Sequence, residues 1–244
     1  MNDKQSYEII RKNFEIVNER IFQAAISAGR SPEEVQLIVV TKGHSLNSVY
    51  DVIRAGANKL GENYVDEALP KILATSANSD LEWHMIGHVQ SRKARLVSEH
   101  FRWIHSLHSI RLANRLERFV EQQKHRLSVL IEVNVSGEES KFGYPALDQI
   151  EWEKLAMDLH PVLSLSNIRV RGLMTMPPYS PDPEEVRPYF HKLCQLQEYL
   201  AKVFPSTEWG ELSMGMSNDF EVAIQEGSTM VRIGQAILGP RQKN

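Results

Sequence analysis

The sequence predicts a single closed (β/α)8 barrel of the TIM type, an α/β fold, with an extra helix at the N-terminus. Three observations carry this expectation. Eight short apolar runs alternate with helical patterns along 244 residues, an ordinary length for one α/β barrel. The connections are short, without linker, low-complexity segment or repeat, so 1–244 reads as one domain, with 1–30 packed on it as the N-terminal helix. The first strand is followed by Lys42-Gly43-His44, not by the glycine fingerprint that usually marks an open doubly wound sheet.

Each element has its own signal. Tyr7, Ile10, Phe14, Val17, Ile21, Ala24 and Ala28 recur at steps of three and four, an apolar helix stripe that Gly29 ends. Residues 37–42 form the first strand, an aliphatic, largely β-branched run that stops at Lys42. Ser45 caps a helix closed by Gly56. Strands at 59–63, 81–87, 102–107 and 129–135 follow, separated by helices at 64–73, 90–99 and 110–120. A loop at 136–144 leads to a helix at 150–162, a sixth strand at 168–176 and a long helix at 186–203. Short strands at 211–214 and 230–234 flank a short helix at 220–225.

Composition bounds the function. With 42% hydrophobic and 24% charged residues the chain can bury a sizeable core, and a net charge of −3 gives no general affinity for nucleic acid or anionic lipid. Arg92-Lys93-Ala94-Arg95 reads as a solvated helix face, not a nucleic-acid patch. One cysteine, Cys194, excludes an intrachain disulfide and reads as a buried thiol in a helix. The N-terminal residues lack a signal-peptide core, and no apolar run approaches membrane-spanning length. A cytoplasmic protein with neither nucleic-acid nor membrane partners is expected.

In a barrel the site lies at the C-terminal strand ends, which brings Lys42, Asn63, Ser106, Asn134, Thr175, Ser213 and Gly234 to one mouth. A charged amine is poorly tolerated in a buried strand, so Lys42 escapes at the strand end or is used there, as the amine that holds a carbonyl cofactor as a Schiff base. The run Ser213-Met214-Gly215-Met216-Ser217-Asn218-Asp219, with Gly234 on the neighbouring loop, suits a phosphate in such barrels; alternatively its glycines serve turns and Ser217 caps the next helix. Arg232 needs a partner, either a ring nitrogen of a ligand or a carboxylate such as Glu62 or Glu132. His84 and His88 sit four apart on a strand, too far apart to share a metal ion, so no metal site is expected; His84 reads as a hydrogen-bonded inner residue, and Trp83 and Trp103 as core. Lys141 reads as an exposed loop lysine on the functional side of the barrel.

Taken in order, several segments resemble the pyridoxal 5′-phosphate homeostasis protein family. They are Val40-Thr41-Lys42, Gly61-Glu62-Asn63-Tyr64-Val65-Asp66-Glu67, Trp83-His84-Met85-Ile86-Gly87-His88-Val89-Gln90, Glu132-Val133-Asn134-Val135-Ser136, Lys141-Phe142-Gly143, Arg171-Gly172-Leu173-Met174-Thr175-Met176, Leu212-Ser213-Met214-Gly215-Met216-Ser217 and Val231-Arg232-Ile233-Gly234. The resemblance implies the fold-type III pyridoxal phosphate barrel, similar to the N-terminal domain of alanine racemase. It implies pyridoxal 5′-phosphate as cofactor, carried by Lys42 as an internal aldimine, with Ser213, Gly215, Ser217 and Gly234 on its phosphate. Arg232 would face the pyridine nitrogen, and Asn63 and His84 would line the ring pocket. The chain departs from the family pattern at Gly43, Arg92 and Gln235; many members carry a small hydroxyl residue at the last position, so that phosphate hydrogen bond is not carried over.

A reversible cofactor carrier acting in vitamin B6 homeostasis, with indirect effects on amino-acid metabolism, is therefore expected, and an amino-acid racemase is the alternative. A racemase is most easily run with a second base opposite the lysine, which alanine racemases draw from a C-terminal β-domain across a dimer. The sequence ends ten residues after Gly234, so no catalytic residue, a monomer, and pyridoxal phosphate-dependent apoenzymes as candidate recipients are the expectations.

Overall fold

The computed structural model describes residues 3–123 and 125–241; Met1 and Asn2 of the stretch read for a signal peptide, Lys124 and tail residues 242–244 lie outside the described residues. The strands are β1 (Gln36–Val40), β2 (Lys59–Glu62), β3 (Glu82–Met85), β4 (Trp103–Leu107), β5 (Leu127–Asn134), β6 (Tyr144–Pro145), β7 (Ile168–Met174), β8 (Glu211–Ser213) and β9 (Met230–Ile233). Eight of them form a parallel ring, β1-β2-β3-β4-β5-β7-β8-β9, closed where β9 pairs with β1, Ile38 opposite Arg232. β6 is a two-residue addition that pairs only with the end of β5, at the end of the stretch expected as a loop.

The period of two along each strand separates two cores. Outward residues such as Val39, Ile131, Leu173, Val231 and Ile233 pack beneath the helices in the main core. Inward, Ile38, Leu130, Met174 and Met230, with Trp103 against them, make a small apolar plug. The remaining interior positions carry buried polar side chains, His84, His105, Ser213 and Arg232 among them. That is an unusual filling for a barrel interior, which branched apolar residues normally dominate.

The helices are α1 (Asp3–Ser27), α2 (Leu46–Arg54), α3 (Val65–Ala74), α4 (Ala94–His100), α5 (Ile110–Val120), α6 (Gln149–Leu163), α7 (Arg187–Val203), α8 (Phe220–Gln225) and α9 (Gln235–Leu238). The helix expected at 90–99 starts as a 3₁₀ turn over Ser91–Lys93, with no side-chain cap at Gln90, and becomes α4 only at Ala94. After β9, among the described residues, the outer ring receives only the single turn of α9, which was not expected from the sequence. α1 packs against α2, α8 and α9 and so fills that gap. Arg20 holds Glu221 of α8 by two hydrogen bonds of 2.8 and 2.7 Å, and Asn13 Nδ2 donates to the Ile237 carbonyl at 3.0 Å. Gly29, at φ +70°, ends α1: the Gly29 and Arg30 amides bond back to the Ile26 and Ala25 carbonyls, a turn that a left-handed glycine allows.

Candidate functional site

Lys42 stands two residues past the end of β1, in the turn that leads to α2. Its neighbours are held from below by a buried ionic cluster. Lys71 of α3 donates to Glu62 Oε1 at 2.7 Å, Glu67 Oε1 at 2.8 Å and the Thr41 carbonyl at 2.8 Å. Thr41 Oγ1 donates to Glu62 Oε1 at 2.7 Å, and the Gly43 amide to Glu67 Oε1 at 2.6 Å. Both residues flanking Lys42 are thus fixed, while the Lys42 amine itself has no hydrogen bond or ion pair among the described residues. Burial, reinforced by the positive charges of Arg241 and Arg232, lowers the Lys42 pKa and so favours the neutral, nucleophilic amine.

Lys42 opens on two adjoining cavities. One, of about 240 Å³, lies between Lys42, Asn63, Ser217, Arg232 and Gly234. The other, of about 340 Å³, runs under His44, Gln235 and Arg241. Ser217 Oγ accepts from the Ala236 amide at 3.3 Å and Asp219 Oδ1 from the Met216 amide at 2.6 Å, so the loop after β8 is tied to α9 and closed on itself. Gly234 passes so close to β1 that a Cβ there would lie 2.9 Å from the Val40 carbonyl oxygen. Arg232 is buried, and its Nη1 and Nη2 donate to Ser213 Oγ at 2.5 Å and to the Thr175 carbonyl at 3.0 Å. Burial lowers its pKa to about 10, opposed by Asp219 and Glu132, so the guanidinium stays charged at neutral pH. Neither carboxylate weighed from the sequence pairs with it: Glu62 belongs to Lys71, and Glu132 makes no hydrogen bond to it.

Lys42, Asn63, Ser217, Arg232 and Gly234 therefore come together, and three expected ligand contacts lie elsewhere. Ser213 is fully buried with its hydroxyl turned into the barrel between His105 and Arg232, because strand alternation points it inward. Gly215, at φ +96°, is a packing residue: a Cβ would come within 2.7 Å of Ala223 Cβ in α8. His84, expected at the ring pocket, sits below the mouth, bonded to His105 at 2.9 Å and to Glu82 at 3.1 Å and stacked on Trp103. None of the three lines the mouth cavities.

One residue, Arg241, escaped the sequence reading, and others stand in different surroundings from those expected. Arg241 reaches over Gly43 and lines both cavities, a placement with no local sequence signal. Glu132, at the end of β5, is 4% exposed; its Oε2 is buried without a partner, and burial raises its pKa to about 7. It lines a third chamber of about 420 Å³ beside the first, together with Arg92 and Lys93, the residues read as a plain solvated face. Cys194 lies away from the mouth on α7, half-buried, donating to the Glu226 carbonyl at 2.7 Å, its pKa pushed up to about 12 by burial. No helix among the described residues is long and apolar enough to cross a membrane.

Comparison with known proteins places this geometry in context. The family described as "Alanine racemase, N-terminal domain" matches residues 20–242. The pyridoxal phosphate homeostasis protein of Escherichia coli (strain K12) is 41% identical over 237 residues, covering 95% of this chain and 97% of that one. PipY of Synechococcus elongatus, solved with pyridoxal phosphate bound, superposes with a TM-score of 0.76 at 32% identity, covering 91% of this chain and all of that one. Alanine racemase of Clostridium difficile shares the fold alone, with a TM-score of 0.68 at 11% identity; the match covers 97% of this chain and 58% of that one.

Proposed function

Because the chain belongs to the pyridoxal phosphate homeostasis protein family, built on the alanine racemase N-terminal-domain fold, we propose that it binds pyridoxal 5′-phosphate reversibly through Lys42 and acts as an intracellular carrier of that cofactor. One observation carries the reading. Lys42 is an unpaired amine of lowered pKa, held between two arginines at the mouth of a parallel barrel.

The residues present fit the group. An aldehyde needs a neutral amine without a competing carboxylate, and Lys42 has no such partner. A phosphate dianion needs cations and close backbone approach; Arg241, Ser217 and the Gly234 backbone offer both along one wall. Arg232 is the guanidinium available to the pyridine nitrogen, and Asn63 borders the ring. When bound, the cofactor supplies an electrophilic carbon that an amine can capture and later release. The chain's own part is to keep Lys42 unprotonated, to neutralise the phosphate and to fix both loops.

Burial of Arg232 suits a carrier. A permanent cation beside the ring nitrogen keeps that nitrogen unprotonated and weakens the ring as an electron sink. The reading extends to a cytoplasmic monomer that takes up free pyridoxal phosphate and hands it to pyridoxal phosphate-dependent apoenzymes, with indirect effects on amino-acid pools.

Borohydride reduction of the loaded protein, followed by peptide mapping, tests it. The label is expected on the peptide containing Lys42, and Lys42→Ala is expected to lose both label and visible absorbance while keeping its fold. A wild-type protein that cannot be reconstituted with the cofactor overturns the reading. Turnover of L-alanine to the D form at roughly 1 s⁻¹ or more would replace the carrier by a racemase.

A further inference from the structure

A continuous file of polar side chains runs through the barrel interior. Glu82 lies at the N-terminal end of β3 with its side chain 34% exposed. His84 Nε2 stands 3.1 Å from Glu82 Oε1, and His84 Nδ1 2.9 Å from His105 Nε2. His105 Nδ1 stands 2.8 Å from Ser213 Oγ, which accepts from Arg232 Nη1 at 2.5 Å. His84, His105, Ser213 and Arg232 are all buried. The file links solvent at one end of the barrel to the cavity beside Lys42 at the other.

We propose that Glu82, His84, His105 and Ser213 form one polarised hydrogen-bond bridge that positions the Arg232 guanidinium. The direction of every bond follows from the two ends. A carboxylate can only accept, so His84 carries its proton on Nε2 and accepts at Nδ1. His105 then donates from Nε2 and accepts at Nδ1, so the Ser213 hydroxyl donates to it. Ser213 Oγ accepts from Arg232, which can only donate. Both imidazoles are neutral, as burial requires: it lowers the pKa of His84 and takes that of His105 well below the ordinary histidine value, with the neighbouring cation Arg232 adding to the effect on His105. Lys59 and Glu211 also face His84, with opposite effects.

All four bonds point the same way, from the cation to the anion, and bonds aligned head to tail strengthen one another. Arg232 is buried with no direct salt bridge among the described residues. Its Nη groups bond neutral oxygens, and the carboxylates whose charges act on it, Asp219 and Glu132, make no hydrogen bond to it. A direct carboxylate partner would engage the face that Arg232 presents to the cavity.

The protonation pattern is independent of the function proposed above; only the link to cofactor affinity rests on that reading. The test is long-range ¹H–¹⁵N imidazole spectroscopy on cofactor-free protein, with pyridoxal phosphate titrations in parallel. Wild type is expected to show two non-titrating histidines, both protonated on Nε2 alone. Glu82→Gln retains an acceptor oxygen and should keep that pattern. Glu82→Leu removes the acceptor and should leave His105, two bonds away, as a mixture of tautomers, with cofactor affinity down roughly tenfold. Ser213→Ala, a small change that preserves packing, should also mix the His105 tautomers, and it serves if Glu82→Leu does not fold. Protonation of either ring on Nδ1 in wild type overturns the bridge, as does a His105 tautomer insensitive to both variants. Failure to bind pyridoxal phosphate at all, with the tautomers as described, overturns the carrier reading and leaves the bridge standing.

Discussion

Glu132→Gln is expected to make the cofactor-free protein more stable above pH 7 and to change little near pH 4.5. Glu132 is buried at the barrel mouth, one oxygen lacks any partner, and burial holds its carboxyl at about 7 against an ordinary value of 4.5. At pH 4 both folded and unfolded chains hold the proton. As pH rises through 4.5 the unfolded chain releases it and the folded chain does not, so the balance shifts toward unfolding until the folded carboxyl ionises near 7. The raised pKa thus contributes stability that is complete below 4.5 and lost above 7. A shift of that size, at about 1.4 kcal/mol per unit, corresponds to roughly 3 kcal/mol. Glutamine imitates the neutral form at all pH values and removes the slope. Urea unfolding at pH 5 and pH 8, followed by tryptophan fluorescence, measures it: the wild type should lose roughly 2.5 kcal/mol relative to Glu132→Gln between the two. Parallel pH profiles for the two proteins would refute the assignment of Glu132 as a buried, unpartnered acid.

Lys71→Met should cost about 3–5 kcal/mol, because it leaves the fully buried Glu62 charge without its cation, and adding Glu62→Gln should recover part of that in a double-mutant cycle. It should also slow borohydride trapping, since the same cluster fixes Thr41 and Gly43. Arg241→Ala removes the largest of the charges that lower the Lys42 pKa, so the pH midpoint for modification of Lys42 should move upward and inorganic phosphate should bind less well; an unchanged midpoint would place Arg241 outside the site. Cys194, with its pKa pushed up to about 12, should react with iodoacetamide at pH 8 at least about 100-fold more slowly than free cysteine, as read by mass spectrometry.

The parts of the site that were legible in the sequence are those set by neighbours along the chain. Lys42 was readable because an aliphatic run stops there, and Ser217 and Gly234 because small residues after late strands mark a mouth. Ser213 and Gly215 belong to the same loop, and neither lines the mouth cavities, for opposite reasons. Alternation turns the serine inward, and the glycine answers to α8, which approaches within contact distance of its absent Cβ. Nothing along the chain singles out Lys71, whose burial depends on Glu62, nine residues away on β2.

The sequence by itself determined the barrel and the strand end that presents Lys42, since burial periodicity and strand-to-helix alternation are local properties that survive without tertiary knowledge. Ring closure and register decided the rest. They set His84 against His105, His105 against Ser213, and Ser213 against Arg232, contacts spanning 21, 108 and 19 residues. They also left Glu132 without a partner and brought Arg241 over Gly43. Each depends on which side chains meet across the barrel, where geometry assigns partners that no spacing along the chain encodes.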